Sequence, residues 1–583
     1  LSLSLKSRKR LMALCGVTIL SGSLLVGCSS DNGKGGPHVS VEDADAGPFG
    51  EAAAANINRN VSDDYEATPQ ILADSDGSGS EAVARFHDTS ETLIISDSKD
   101  ASQLRAASIA VFTHTPMLML SDKNSKSIKE SIKQLQPGKV LLVGNIDEKS
   151  VTPDPDPTTD SPDKPAINFI RDNGTAEGLE ALTATQFTEQ EVDRPEDMVK
   201  AVVGLNGKDA VLLKPTWEQF VPSPQAQGTP EALPAGTAED GNSAPITIAS
   251  PQSAVAAVGT ARAYGVEVRY MDYPDPRLSD DTMKMVAGLS NRPLLALGYQ
   301  FGSGKTLSEK IERGEHVTAE LPGGGRLVFP GRRMIALYGH PSGPALGAMG
   351  EQDPAASVKR VKDLVDQYQG MSKEPVIPAF EVIASVASAD PGPDGTYSNV
   401  FPEQELRPYV DAIINAGGYA VIDLQPGKAS LLDQAKKYEN LLKEPNVGLA
   451  LDPEWKLEPG ELPMSQVGHV DASEIDQVSE WLSKLVDDNK LPQKALVLHQ
   501  FQLQMIRNRE LLNLDHPELA FVLHADGHGS REQKFDTWDA MRRDLDPRFF
   551  MAWKNFFDED QPMFTPQQTF NDVVPRPWFV SYQ

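Results

Sequence analysis

Val447-Gly448-Leu449-Ala450-Leu451 runs directly into Asp452-Pro453-Glu454-Trp455. Five apolar residues closed by a proline turn read as a buried strand, and the two acids stand at its carboxyl end. The same pattern recurs on both sides. Upstream, Met334 to Tyr338, Val376 to Ala384 and Tyr419 to Leu424 read as strands; downstream, Val467 to Val470, Ala495 to Leu498, Leu519 to Leu523 and Phe550 to Trp553 do. Helical stripes lie between them: Val358, Val361, Leu364, Val365 and Tyr368; Leu432, Ala435, Tyr438 and Leu442; Ile475, Val478, Leu482 and Leu485. Pro453 to Gln466 has no helical period and reads as a rim loop. Eight strands over about 220 residues approach the size of a (β/α)8 barrel. An open doubly wound sheet is the other fold, and it needs fewer strands.

Barrel chemistry sits at the carboxyl ends of the strands. Read in order, those positions hold Tyr338 and His340, Glu381, Asp423 and Gln425, then Asp452, Glu454 and Trp455. After them come His469 and Asp471, His499 and Gln500, His524, Asp526 and His528, and Lys554. Five of the 10 histidines fall in this set, which is far from an even scatter. Burying each ionisable group without a partner costs several kcal/mol, so a purely structural shell has no need of them.

A chain of 583 residues exceeds the roughly 250–300 over which one core keeps growing, so several domains are expected. Upstream of the barrel, strands and helices alternate, which implies a parallel sheet covered by helices. Strands are expected at Thr92–Ile95, Pro116–Leu120 and Val140–Val143. A second set follows at Pro245–Ile248, Val266–Tyr270 and Pro293–Gly298. Gly302-Ser303-Gly304-Lys305-Thr306 imitates a phosphate-binding loop, but Gly298 lies one residue too far away, so it reads as a turn between domains.

The net charge of −29 disfavours nucleic acid and anionic lipid as partners. At the amino terminus, Lys6, Arg8, Lys9 and Arg10 precede the apolar run Leu11–Val26, as in a secretion signal. An uncleaved anchor helix is the alternative. Cys15 and Cys28 are the only cysteines, and neither has a partner in the mature chain, so no disulfide framework is expected. Residues 32–68 carry no sustained period and read as a flexible tether.

Three resemblances extend this reading. Leu25-Val26-Gly27-Cys28 resembles the lipobox of bacterial lipoproteins, which implies lipidation of Cys28 and an anchor on the outer face of the cytoplasmic membrane. Tyr65-Glu66-Ala67-Thr68, Ser96 to Ala101 and Pro137 to Gly144 resemble the cell wall-binding repeat 2 family, which implies attachment to wall polymer. The alternative for this half is a degenerate scaffold. The carboxylates, Trp455 and Tyr338 resemble the rim of barrel glycoside hydrolases, where two carboxyl groups flank the scissile bond. By that resemblance Glu454 is the acid, Asp526 the base or nucleophile, and Asp452 a neighbour that tunes Glu454. Glu381, Asp423, Trp455, Asp471, His499, His524 and Tyr338 would bind substrate. For Asp452 a turn-capping role, and for Trp455 a packing role, stay open.

The expected organisation is therefore a signal segment (1–27), a tether (28–67), a repeat-like α/β region (68–305) and a (β/α)8 barrel (326–583). The expected function is binding of cell-wall polysaccharide by an envelope lipoprotein, with its hydrolysis by the barrel left open; a non-catalytic wall-binding scaffold is the alternative. No cofactor is expected. A metal hydrolase using His469, His499, His524, His528 and Asp526 is the rival, but no strand ends in His-x-His and no helical zinc spacing occurs, so no metal is expected.

Overall fold

The computed structural model describes residues 48–154, 167–234 and 243–583. The signal segment, Cys28, the tether up to residue 47 and residues 155–165 of the first proline-rich insertion lie outside these. Residues 48–67, expected to be tether, include a packed helix. Gly50–Ile57 is helical, Phe49 is buried with Met283 and Ala287, and Asn56 donates to the carbonyls of Lys284 (3.0 Å) and Ala287 (2.9 Å). Four consecutive alanines show no apolar period, which hid the element. Alanine is nevertheless the best helix former and allows close approach.

Among the described residues ten strands precede the barrel: β1 (Pro69–Leu72), β2 (Thr92–Ser96), β3 (Met117–Met119), β4 (Lys139–Val143), β5 (Asn168–Arg171), β6 (Thr188–Val192), β7 (Val211–Pro215), β8 (Thr247–Ala249), β9 (Val268–Tyr270) and β10 (Leu294–Leu297). They form two parallel four-stranded sheets, β3-β2-β4-β5 and β9-β8-β10-β1, and a parallel pair, β6-β7. In each larger sheet three successive strands lie in the order second, first, third, but the fourth strand is the next in the chain (β5) in one sheet and one from far upstream (β1) in the other. The helices Asp100–Thr113 and Val255–Tyr264 pack together between them. Gly259 lets the second helix lie close on β3, since a Cβ there would collide with the Met117 side chain. Next to it, the Thr260 hydroxyl accepts from Met117 N (3.0 Å) and donates to Met117 O (2.9 Å).

The carboxyl half is a closed barrel of eight parallel strands: β11 (Arg333–Gly339), β12 (Val376–Ala387), β14 (Tyr419–Leu424), β15 (Val447–Leu451), β17 (Lys494–Gln500), β19 (Leu519–Ala525), β20 (Phe550–Asn555) and β21 (Phe579–Tyr582). β13 (Ser398–Val400) pairs antiparallel with β12, and β16 (Val470–Asp471) pairs parallel with β18 (Ile506–Arg507), outside the barrel wall. Two expectations are corrected here. Val467–Val470 is not a barrel strand: Gly468 lies against the carbonyls of Pro453, Glu454 and Lys456, which makes this segment the return of the rim loop. The closing strand is instead Phe579–Tyr582, masked in the sequence by Pro575 and Pro577 just ahead of it. Asp526 therefore follows the sixth strand, not the seventh.

Alternation along the strands builds the interior in layers. Below the mouth each strand contributes one apolar side chain to this interior: Ala336, Ala379, Val421, Ala450, Val497, Val522, Ala552 and Phe579. Gly448 is required nearby, because the Tyr419 ring occupies the space that a Cβ would need. The amino end is plugged by Leu321, Val328 and Phe329. Arg332, with no exposed surface, ties this plug together: it donates to the carbonyls of Val328 (3.1 Å), Gly324 and Leu327 (both 2.8 Å), and to that of Pro322. The α/β region docks on this same end. Arg277 donates to Pro517 O (2.9 Å), and Arg313 pairs with Glu518 and with Asp487 (3.3 Å). The carboxyl-end mouth lies at the opposite end.

Arg332→Ala strands several buried carbonyls without a donor. The unfolding free energy from urea titration is expected to fall by about 3 kcal/mol or more.

Candidate functional site

Two residues beyond the apolar layer, the same alternation puts a second side chain from every strand into the interior. These are Tyr338, Glu381, Asp423, Asp452, His499, His524, Lys554 and Ser581, all buried. Eight strands thus contribute eight polar groups to the barrel mouth. Asp526, just past the end of β19, and Glu454, in the short turn Pro453–Trp455, extend the set outward.

His499 is the hub. Its Nε2 is 2.8 Å from Glu381 Oε1 and its Nδ1 2.8 Å from Asp526 Oδ2. Burial by itself pushes this imidazole down, but Glu381 and Asp526 outweigh it and hold the group well above its ordinary value. Both ring nitrogens then donate. Asp526 is held low: burial works against its charge, and the hydrogen bond and charge of His499 prevail. The His524 ring lies 4.6 Å from that of His499 between centroids, tilted by 56°, and its Nε2 meets Ser581 Oγ at 3.1 Å. Burial and the adjacent His499 push His524 well down, so it is neutral.

The other side of the mouth is built around Tyr338. Its hydroxyl donates to Asp423 Oδ2 (3.0 Å), and Lys554 Nζ sits 3.6 Å above its ring. Asp423 is raised to about 6, mainly by burial. Asp452 is raised well above its ordinary value for the same reason. Glu454 is raised to about 7, by burial first and by Asp526 second. Asp452 Oδ1 accepts from Glu454 N (3.2 Å), so it caps the Pro453–Trp455 turn while also entering the mouth. The expectation that Asp452 tunes Glu454 is thereby modified: desolvation and Asp526 do most of it.

No protein-family model matches this chain, and no curated protein does. Among solved structures, Cwp6 from Clostridium difficile is similar at a TM-score of 0.27 and 13% identity, over 56% of this chain and 64% of that one. The match spans less than two thirds of Cwp6, and a likeness of this size carries no argument about fold or chemistry. The barrel and its polar ring stand on their own geometry.

The structure brings together Glu454, Asp526, Asp452, Glu381, Asp423, His499, His524 and Tyr338. It does not bring in Asp471, which is exposed at the start of the helix Ala472–Asp488 and accepts from Asn508 (3.4 Å). Trp455 is half-buried beside the ring, where with Tyr397 and Glu454 it lines a cavity of about 230 Å³. His340 turns aside onto the Phe401 ring (4.0 Å), His469 toward Glu458 (3.8 Å), and His528 onto Phe556 (5.6 Å). The metal set expected from the rival reading is therefore not assembled. A different trio is: donor atoms of Glu381, His499 and His524 lie within 4.8 Å of one another.

Sequence reasoning passed over three groups. Ser581 was lost with its strand. Lys534, on the helix Arg531–Arg542, pairs with Asp560 (2.8 Å) and donates to the carbonyls of Lys554 (2.6 Å) and Gly527 (3.1 Å). Asp560 in turn accepts from Gly529 N and Phe556 N (both 3.0 Å), which sets the loops after β19 and β20. A buried lysine on a helix facing a loop has no sequence signature.

A carboxyl group whose folded value lies above its unfolded value destabilises the fold as pH rises between the two. For Glu454 that window runs from about 4.3, its unfolded value, to about 7. Glu454→Gln should therefore melt higher relative to the parent chain at pH 8 than at pH 5, by differential scanning fluorimetry. An equal difference at both values would contradict the burial of this carboxyl.

Proposed function

We propose that this chain is a cell-envelope surface protein, lipid-anchored through Cys28, whose barrel binds and hydrolyses cell-wall polysaccharide. The observation that carries the reading is the divergence of two carboxyl groups at one mouth. Glu454 is raised to about 7 and lies within the field of Asp526, which is lowered. Two carboxyl groups driven apart in proton affinity are what a glycosidic bond needs: a protonated acid for the leaving oxygen and an ionised partner as base or nucleophile. In this reading Glu454 protonates the leaving group. Asp526 is kept ionised by His499, and Tyr338, Asp423 and Lys554 supply donors and charge around the sugar.

The upstream half is assigned to attachment. Its resemblance to the cell wall-binding repeat 2 family and the three-strand order common to its two sheets support that reading. Among the described residues no helix is long and apolar enough to cross a membrane, so membrane association in this proposal rests on Cys28.

The test is reducing-end release from purified wall polysaccharide. Glu454→Gln and Asp526→Asn should each lower kcat by about 10²–10⁴-fold with the fold retained by circular dichroism. Because the acid must be protonated, the parent activity should fall as pH rises through about 7, and that limb should vanish in Glu454→Gln. Undiminished turnover in both variants would remove the pair from the reaction.

A further inference from the structure

The floor of the mouth holds more buried acceptors than its protein partners satisfy. Glu381 Oε2, Asp423 Oδ1, Asp526 Oδ1 and His524 Nδ1 are all buried without a hydrogen-bond partner. Five carboxyl groups (Glu381, Asp423, Asp452, Glu454 and Asp526) converge there with Lys554 and two imidazoles. A buried carboxylate oxygen or imidazole lone pair left unpaired costs the fold on the order of 1–3 kcal/mol. Such a set calls for a cation.

We propose that Glu381, His499 and His524 form a binding site for one divalent transition-metal ion of the zinc type. The donor atoms fit. Glu381 Oε1 lies 2.8 Å from His499 Nε2 and 3.9 Å from His524 Nδ1, and all three atoms lie within 4.8 Å of one another. Three donors about 2.1 Å from a tetrahedral ion are about 3.4 Å apart, a spacing these distances straddle. The ion takes the place of the proton on His499 Nε2, so that nitrogen turns from donor to ligand and the proton leaves to solvent.

The surroundings are those of a metal site as well. Ligating histidines usually engage their other ring nitrogen with a carboxylate or hydroxyl, which orients the ring. Here His499 Nδ1 holds Asp526 (2.8 Å) and His524 Nε2 holds Ser581 (3.1 Å). Glu381, His499 and His524 have no exposed surface and sit on three different strands of a rigid wall, so little ordering remains to be done on binding. Two imidazoles with one carboxylate favour zinc and its neighbours over magnesium or calcium, which prefer all-oxygen shells. Three protein ligands leave a position for a hydroxyl or carboxylate oxygen of whatever enters the mouth.

The inference goes beyond the glycosidase reading and can fail separately from it. The test is calorimetric titration of the chelator-stripped, purified full-length chain with Zn²⁺, Mn²⁺, Mg²⁺ and Ca²⁺ in the absence of any glycan. One Zn²⁺ per chain is expected, with affinity at least 100-fold above that for Mg²⁺ or Ca²⁺. Glu381→Gln and His524→Ala should each lose at least 10-fold in affinity, whereas His469→Ala, His528→Ala and Glu454→Gln should bind as the parent does. X-ray absorption of the zinc-loaded parent should show two imidazoles in the first shell, a readout that does not depend on any variant folding. No stoichiometric binding, a shell without two imidazoles, or equal loss in His469→Ala and His528→Ala would overturn the site. Loss of activity in Glu454→Gln with zinc binding intact bears only on the reaction.

Discussion

An imidazole with no exposed surface, gripped on both ring nitrogens by carboxylates 2.8 Å away, is the contact on which the barrel mouth depends. His499 reaches from β17 to Glu381 on β12, across the interior, and to Asp526 beyond the neighbouring β19. Without that charge two buried carboxylates would lose their hydrogen-bonded counter-charge, and breaking a buried ion pair costs several kcal/mol. With it, Asp526 stays ionised, and its field is among the influences that push Glu454 toward neutrality. One hydrogen-bonded triad thus adds to what burial does to a group it does not touch.

The barrel makes this arrangement affordable by separating its layers. Small apolar residues fill the level beneath the polar ring, and the plug held by Arg332 closes the amino end. The α/β region docks at that closed end through Arg277 and Arg313. Stability therefore concentrates on one face of the wall and ionisable groups on the other, which is the usual division of labour in such barrels. Lys534 and Asp560 extend the polar ring outward by bracing the loops after β19 and β20.

Much of this was legible before any coordinates. Seven of the barrel strands follow from apolar runs and helical stripes, and eight of the ten residues assigned to catalysis or substrate binding converge because they stand at the ends of those runs. Asp471 and His469 misled for one reason: Val467–Val470 has the composition of a strand, but Gly468 lets the rim loop fold back against it. Ser581 was hidden for the converse reason, since prolines ahead of β21 argued against an ordered strand. The helix Gly50–Ile57 was hidden because alanine packs without producing an apolar stripe.

The amino-acid sequence by itself determined the alternation of strands and helices, the acidity of the chain and the placement of ionisable residues at strand ends, because periodicity and turn chemistry are local properties. Only the tertiary structure decided which of those residues meet. Closure of the wall by β21, the shear between neighbouring strands and the direction each loop takes after leaving the barrel are set by long-range packing. A histidine's partners at positions 381 and 526 are therefore written nowhere near position 499.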